Sequence, residues 1–124
     1  MKKREIKQGE IYFCNLDSVG DTIDSEQQLG RPCLVISLDV LNSSRDNVII
    51  VPITSSTQKK HMINHYCLNS ENYPELACKN NIVLLECPRD ISKRRLERKI
   101  CTLTEYDLNC ILDLIIYDFK EFNF

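Results

Sequence analysis

Ser25-Glu26-Gln27-Gln28-Leu29-Gly30-Arg31-Pro32-Cys33-Leu34-Val35-Ile36 carries the chain from a polar loop into an apolar strand. Pro32 fixes its own φ near about −65° and steers Arg31 away from helical backbone, so the arginine has a defined place at the strand entrance. The run from Pro32 to Leu38 is short and apolar, which reads as a buried strand. Working back, residues 17–30 form a long polar loop, and Ile11 to Leu16, rich in aromatic and β-favouring residues, reads as a preceding strand. Working forward, Val48 to Ile53 is a third strand whose Pro52 requires an edge, a bulge or a strand end. Weaker strands are expected at His65–Leu68, Ile82–Glu86 and Lys99–Leu103, with a short helix over Ser92–Arg98. Thr104 followed by Asp107 is a capping-box spacing, and Leu108, Ile111, Leu112 and Ile115 then recur at helical period. Short strands with one packed terminal helix predict a mainly β, α+β fold, with residues 1–124 as a single domain.

The composition fits a globular chain: 43% of the 124 residues are hydrophobic and 27% charged. The longest apolar stretch, near Leu108–Ile116, is interrupted by Asn109, Cys110 and Asp113, so no membrane span is expected. Met1-Lys2-Lys3-Arg4-Glu5 is basic, but no apolar run follows it, and a cytoplasmic location is expected. In that compartment the seven cysteines are not a disulfide framework. Cys14, Cys33, Cys67, Cys87, Cys101 and Cys110 read as small core residues, whereas Cys78, in a more polar neighbourhood, reads as exposed. The net charge of −2 makes no global case for nucleic acid, yet Arg89, Lys93, Arg94, Arg95, Arg98 and Lys99 form a local basic run. That run is equally a solvated turn surface.

Two segments can carry chemistry. Arg31 presents a planar cation suited to gripping a phosphate through two hydrogen bonds, or else it pairs with Glu26 or Asp24 within the loop. Val51-Pro52-Ile53-Thr54-Ser55-Ser56 ends a strand in consecutive hydroxyls just before Gln58-Lys59-Lys60, which can hold a phosphate or simply make a turn. His61, His65 and Cys67 hint at metal-ligand spacing, but a fourth ligand is not evident, so neither metal nor cofactor is expected. His65 is read as a surface or strand-edge residue.

Taken together, Gly9-Glu10-Ile11-Tyr12-Phe13, the Ser-Glu-Gln loop leading to Arg31-Pro32, Pro52-Ile53-Thr54, and Ile82-Val83-Leu84-Leu85-Glu86 with Arg89, Ile91 and Leu96 resemble the MazF/PemK toxins. The resemblance runs in order from about Gly9 to Phe119. It implies a small SH3-like β-barrel with appended helices, acting as a homodimer. It also implies metal-independent cleavage of single-stranded RNA, including mRNA, and neutralisation by a small antitoxin protein. Arg31 and Thr54 fall on the family's catalytic arginine and threonine. Ser25, Glu26 and Gln27 fall on residues beside the RNA, and Ser55 joins them by adjacency. The chain departs from the family pattern at Gln28 and Leu29, where glycines are common, and at Cys87, where many members carry Gln.

The chemistry expected of such a site is attack of a ribose 2′-hydroxyl on its own 3′-phosphate, leaving a cyclic phosphate and a 5′-hydroxyl. Arg31 suits charge stabilisation, not base catalysis, because its pKa is too high. Glu26 is the carboxylate at hand, and the base stays unassigned. Two rivals stand beside this reading: a CcdB-like toxin that binds gyrase without cutting, and an inactive RNA-binding relative. The Ser-Glu-Gln…Arg-Pro loop with Thr54 favours the nuclease.

Overall fold

The central strands Glu10–Cys14, Arg31–Val35 and Asn47–Thr54 are built mostly from residues buried on both faces. A computed structural model describes residues 5–16, 30–55, 65–76 and 80–119. In chain order these give β1 (Glu10–Cys14), β2 (Arg31–Val35), α1 (Asp39–Ser44), β3 (Asn47–Thr54), β4 (His65–Leu68), β5 (Asn81–Leu84), β6 (Arg89–Ser92), β7 (Leu96–Thr102) and α2 (Glu105–Phe119). The sheet runs β4-β5-β3-β2-β1-β7, with β6 paired to β3 off that path. Its described pairs are antiparallel.

Ile11, Leu34, Val51 and Ile53 point to one face, where Leu68, Val83, Leu85, Leu103 and Ile111 complete a core under α2. Tyr12, Cys14, Cys33, Val35, Val48 and Ile50 point to the other, where β6 and β7 close over them with Ile91 and Leu96. Each fully buried Ile, Leu or Val contributes roughly 1.5–3 kcal/mol by leaving water. The second cluster is the interior of a bent, barrel-like sheet, consistent with the expected class. Among the described residues the sheet path does not close.

Pro52 explains how β3 serves two neighbours. On its side away from β2, β3 pairs with β6 from Asn47 to Ile50, then with β5 from Ile53 to Thr54. The proline sits in the gap between these ladders, where a missing N–H costs least. Gly9, at φ 95°, lies in left-handed backbone just before β1, against the Leu108 side chain of α2.

The expected helix over Ser92–Arg98 is not formed. The Ser92 hydroxyl accepts from Arg94 N–H at 3.2 Å and caps a single 3-10 turn, Lys93–Arg95. Leu96 then enters β7, because burying it against β1 outweighs the weak helical signal of a charged run. Strand β2 stops at Val35, short of Leu38, since Ser37 leaves the ladder: its hydroxyl donates to Asn42 at 2.5 Å and accepts from Ile49 N–H at 3.0 Å. On α2, Leu108, Ile111 and Ile115 pack as expected. Leu114 joins them, whereas Leu112 is half-buried outside that cluster.

The start of α2 is held by more than its cap. Asp107 N–H donates to Thr104 Oγ1 at 3.2 Å, as the spacing predicts. The return half of the box is supplied by a tyrosine: Thr104 N–H donates to Tyr73 Oη at 3.0 Å. The Asp107 carboxylate is thereby released to accept from Tyr66 Oη at 2.6 Å and Tyr73 Oη at 2.5 Å. Burial first, and then the carboxylate, push both phenols above their ordinary pKa.

Candidate active site

Arg31 is the first residue of β2 and is paired with Cys14 of β1. It alternates with Cys33 and Val35, both inside the barrel cluster, so it heads the barrel-interior face at the rim. Thr54 is the last residue of β3, paired with Ile82, and alternates with Pro52 and Ile50 on that same face. Cys33 is paired with Pro52. The same register carried two residues further sets Arg31 opposite Thr54. The two residues that the sequence placed 23 positions apart (54 − 31) thus lie at one end of adjacent strands, both half-buried. Ser55 follows Thr54 and is exposed. Ser25, Glu26 and Gln27 lie outside the described residues, as do His61 and Cys78.

The wall beyond Thr54 is made by β5 and β4. In the row through Thr54, Ile82 is followed by Cys67, and one step along, Leu84 is paired with His65. The His65 side chain is 0% exposed, and its Nε2 lies 2.9 Å from Glu86 Oε2. Burial raises the Glu86 carboxyl, but hydrogen bonds from His65 and from its own backbone outweigh that and hold it below the usual carboxylate range. Of the two readings of His65, surface or strand-edge, the strand-edge one holds and the surface one is corrected. It sits on an outer strand, but its ring turns inward to a carboxylate. Cys67 is exposed, not a core filler, because β4 ends the sheet path and offers it a neighbour on one side alone.

Other cysteines behave as small apolar groups. Cys14 and Cys33 are fully buried. A hydrogen bond with Cys14, then burial, keep the Cys33 thiol far above its ordinary pKa, although the charges of Arg31 and Arg89 pull the other way. It is no nucleophile at neutral pH. Cys87, Cys101 and Cys110 are half-buried, and burial pushes Cys101 up to about 11.

Glycine at 30 is a steric requirement of the site. A Cβ there would stand 2.5 Å from Phe13 Cε2 and 2.8 Å from the Cys14 carbonyl oxygen. Gly30 therefore lies against β1 by a close backbone approach, immediately before Arg31. The Arg98 guanidinium lies over the Phe13 ring, 4.6 Å from its centroid.

Among the described residues no group of three or more His, Cys, Asp or Glu could hold a metal ion. What the rim offers is a guanidinium and a hydroxyl on adjacent strands, which is hydrogen-bonding chemistry for a phosphate. No described helix is long and apolar enough to cross a membrane.

Comparison with known proteins places the chain in a family. The chain is 34% identical over 100 residues to endoribonuclease EndoA of Bacillus subtilis, covering 81% of this chain and 82% of that protein. It is 31% identical over 100 residues to endoribonuclease MazF of Staphylococcus epidermidis, covering 81% and 79%. In fold it is similar to MazF from Deinococcus radiodurans (TM-score 0.70, 19% identity, 93% of this chain and 96% of that one). A mycobacterial endoribonuclease solved with its cognate antitoxin is similar too (TM-score 0.69, 16% identity, 90% and 92%). Residues 7–117 match the model of the PemK-like, MazF-like toxins of type II toxin-antitoxin systems, and the chain belongs to that family.

Proposed function

We propose that this chain is the toxin of a type II toxin-antitoxin pair and cuts single-stranded RNA, mRNA included, without a metal. The observation that carries the reading is the meeting of Arg31 and Thr54 at one end of β2 and β3, in a chain whose similar relatives are endoribonucleases. The 2′-hydroxyl attacks the adjacent phosphorus, its proton leaves to a base, and the 5′ oxygen departs and takes up a proton. Arg31 neutralises charge on the phosphoryl oxygens and donates toward the leaving oxygen. Thr54 fixes a phosphoryl oxygen by its hydroxyl. Such preorganised donors act where charge develops in the transition state. Ser25, Glu26 and Gln27 from the loop, with Ser55, line the path of the RNA.

The whole chain, residues 1–124, works as one toxin domain in the cytoplasm, where its substrate is. It acts as a homodimer and is silenced by a small antitoxin protein. A MazE-MazF pair and a mycobacterial toxin with its cognate antitoxin, both similar in fold, support the partner. The test is to incubate the protein with long single-stranded RNA in EDTA and map new 5′ ends, beside Arg31→Ala and Thr54→Ala. Recurrent cuts, lost in both variants, are the expected outcome. RNA left intact by the unmodified protein refutes the enzyme.

A further inference from the structure

Arg89 opens β6, a strand that the sequence reading missed, and its position is set by two ladders. It is paired with Ile50 of β3, and Ile50 is paired with Val35 of β2. Val48 and Ile50 point into the barrel cluster, and so does Ile91, two residues along from Arg89. Arg89 therefore belongs to the same face as Arg31 and Thr54. Thr54 lies four residues beyond Ile50, about 13 Å along β3 at strand rise. Arg31 lies four residues from Val35, at a similar separation. Arg31 and Arg89 thus approach Cys33 from opposite ends, and both charges are felt at its thiol.

Alternation sends the neighbouring acid elsewhere. Asp90 faces away and pairs with Arg45 at 3.3 Å, so it does not neutralise Arg89. Among the described residues neither Arg31 nor Arg89 has a hydrogen bond or ion pair from its guanidinium. Arg89 is exposed. Arg31 and Arg89 thus stand on one face, about 13 Å apart along the strands and each without a carboxylate partner among the described residues. A polyanionic strand running along that face meets both.

We propose that Arg31 and Arg89 form a two-point phosphate clamp, in which Arg31 holds the phosphate that is cut and Arg89 a second phosphate on the same RNA strand. This rests on the nuclease reading for the identity of the strand, and it assigns Arg89 to binding, not to the chemical step.

Binding of a fluorescent, mixed-sequence single-stranded RNA is measured against salt in a Thr54→Ala background, with and without Arg89→Ala. Losing one phosphate contact lowers the steepness of log K against log salt by about 0.7. In cleavage assays of the otherwise unmodified protein, Arg89→Ala raises KM roughly tenfold and leaves kcat within about threefold, the pattern of lost uniform binding. Arg89→Lys restores the salt slope, because it keeps the charge. Arg94→Ala, on the 3-10 turn, is the control and leaves the slope unchanged. An unchanged slope in Arg89→Ala, an equal drop in Arg94→Ala, or a loss confined to kcat overturns the clamp, even where RNA is cut normally. If the unmodified protein leaves RNA intact while Arg89→Ala still lowers the slope, the nuclease reading falls and the Arg89 phosphate contact stands.

Discussion

Removing the Asp107 carboxylate should unfasten α2 from β4, and the cost can be worked from its partners. Tyr73 is 2% exposed, so Asp107→Ala replaces its bond to a carboxylate with the longer contact to Thr104 Oγ1 at 3.3 Å. Losing a hydrogen bond to a charged group costs about 1.5–3 kcal/mol. Tyr66 is half-buried and recovers part of its loss from solvent, adding about 1 kcal/mol. The expected total is near 3 kcal/mol, against a whole stability of about 6–19 kcal/mol at the usual value per residue. In urea, with a slope of about 1–3 kcal/mol per molar, the midpoint should fall by about 1–3 M at unchanged slope. Tyr73→Phe alone should cost about 1.5–3 kcal/mol, since it also strips Thr104 N–H of its acceptor. The decisive measurement is the double-mutant cycle. Because both changes break one shared bond, Asp107→Ala with Tyr73→Phe must cost clearly less than their sum. Additive costs, or a shift under about 0.5 kcal/mol for Asp107→Ala, would refute the proposed fastening. The outcome bears on the site, because Tyr66 belongs to the strand that also carries His65.

Three further outcomes follow from the same coordinates. Gly30→Ala should destabilise by about 2–3 kcal/mol and cut RNA cleavage further than stability alone explains, because the Cys14 carbonyl 2.8 Å from the new Cβ is backbone and cannot rotate away. Urea melts together with single-turnover cleavage below the melting range check this. Tyr66 and Tyr73 have folded pKa values raised above the ordinary 10.0, so their stabilisation is complete below about pH 10 and is lost as pH rises beyond it. Between pH 10 and 11, urea melts should lose up to about 1.4 kcal/mol per pH unit for each tyrosine, and Tyr66→Phe should flatten the fall. Arg45→Ala, by contrast, should move stability by under about 0.5 kcal/mol, since its pair with Asp90 is 39% and 52% exposed and screened by solvent. A larger shift in its thermal melt would show that the pair also braces β6.

The strands most visible in the sequence are those with both faces apolar. Val48 to Ile53 and Pro32 to Val35 needed no partner to be recognised, because their composition already demands burial. Arg89-Asp90-Ile91-Ser92 carries one buried residue, too little for a period-two pattern, and becomes a strand when β3 offers it an edge. Helix α1 was likewise illegible: its Leu38 makes no side-chain cap, and Leu38, Val40 and Leu41 remain exposed. Arg31 and Thr54 were found through order and resemblance, while their alignment is a property of register, which two separate segments cannot reveal. The burial of the His65 ring at its strand edge was hidden for a similar reason. A lone histidine in an outer strand says nothing of Glu86, which is 21 residues away and is brought to it by the β4–β5 pairing.

The net charge of −2 is the feature least suited to an RNA-binding chain, and the structure accounts for it by where the carboxylates go. Glu10 is nearly buried and accepts from Tyr12 Oη at 2.9 Å while pairing with Lys99 at 3.0 Å. Asp107 is occupied by two tyrosines, Glu86 by His65, and Asp90 by Arg45 on the outer face. Each of these acids is committed to fastening one element to another. Among the described residues neither Arg31 nor Arg89, by contrast, is paired with a carboxylate. The potential that a ligand feels close to the surface is set by this arrangement, because beyond about 10 Å at ordinary salt the remaining charges are screened. An acidic chain can therefore present these two cations on one face while Glu10, Glu86, Asp90 and Asp107 are committed to other partners.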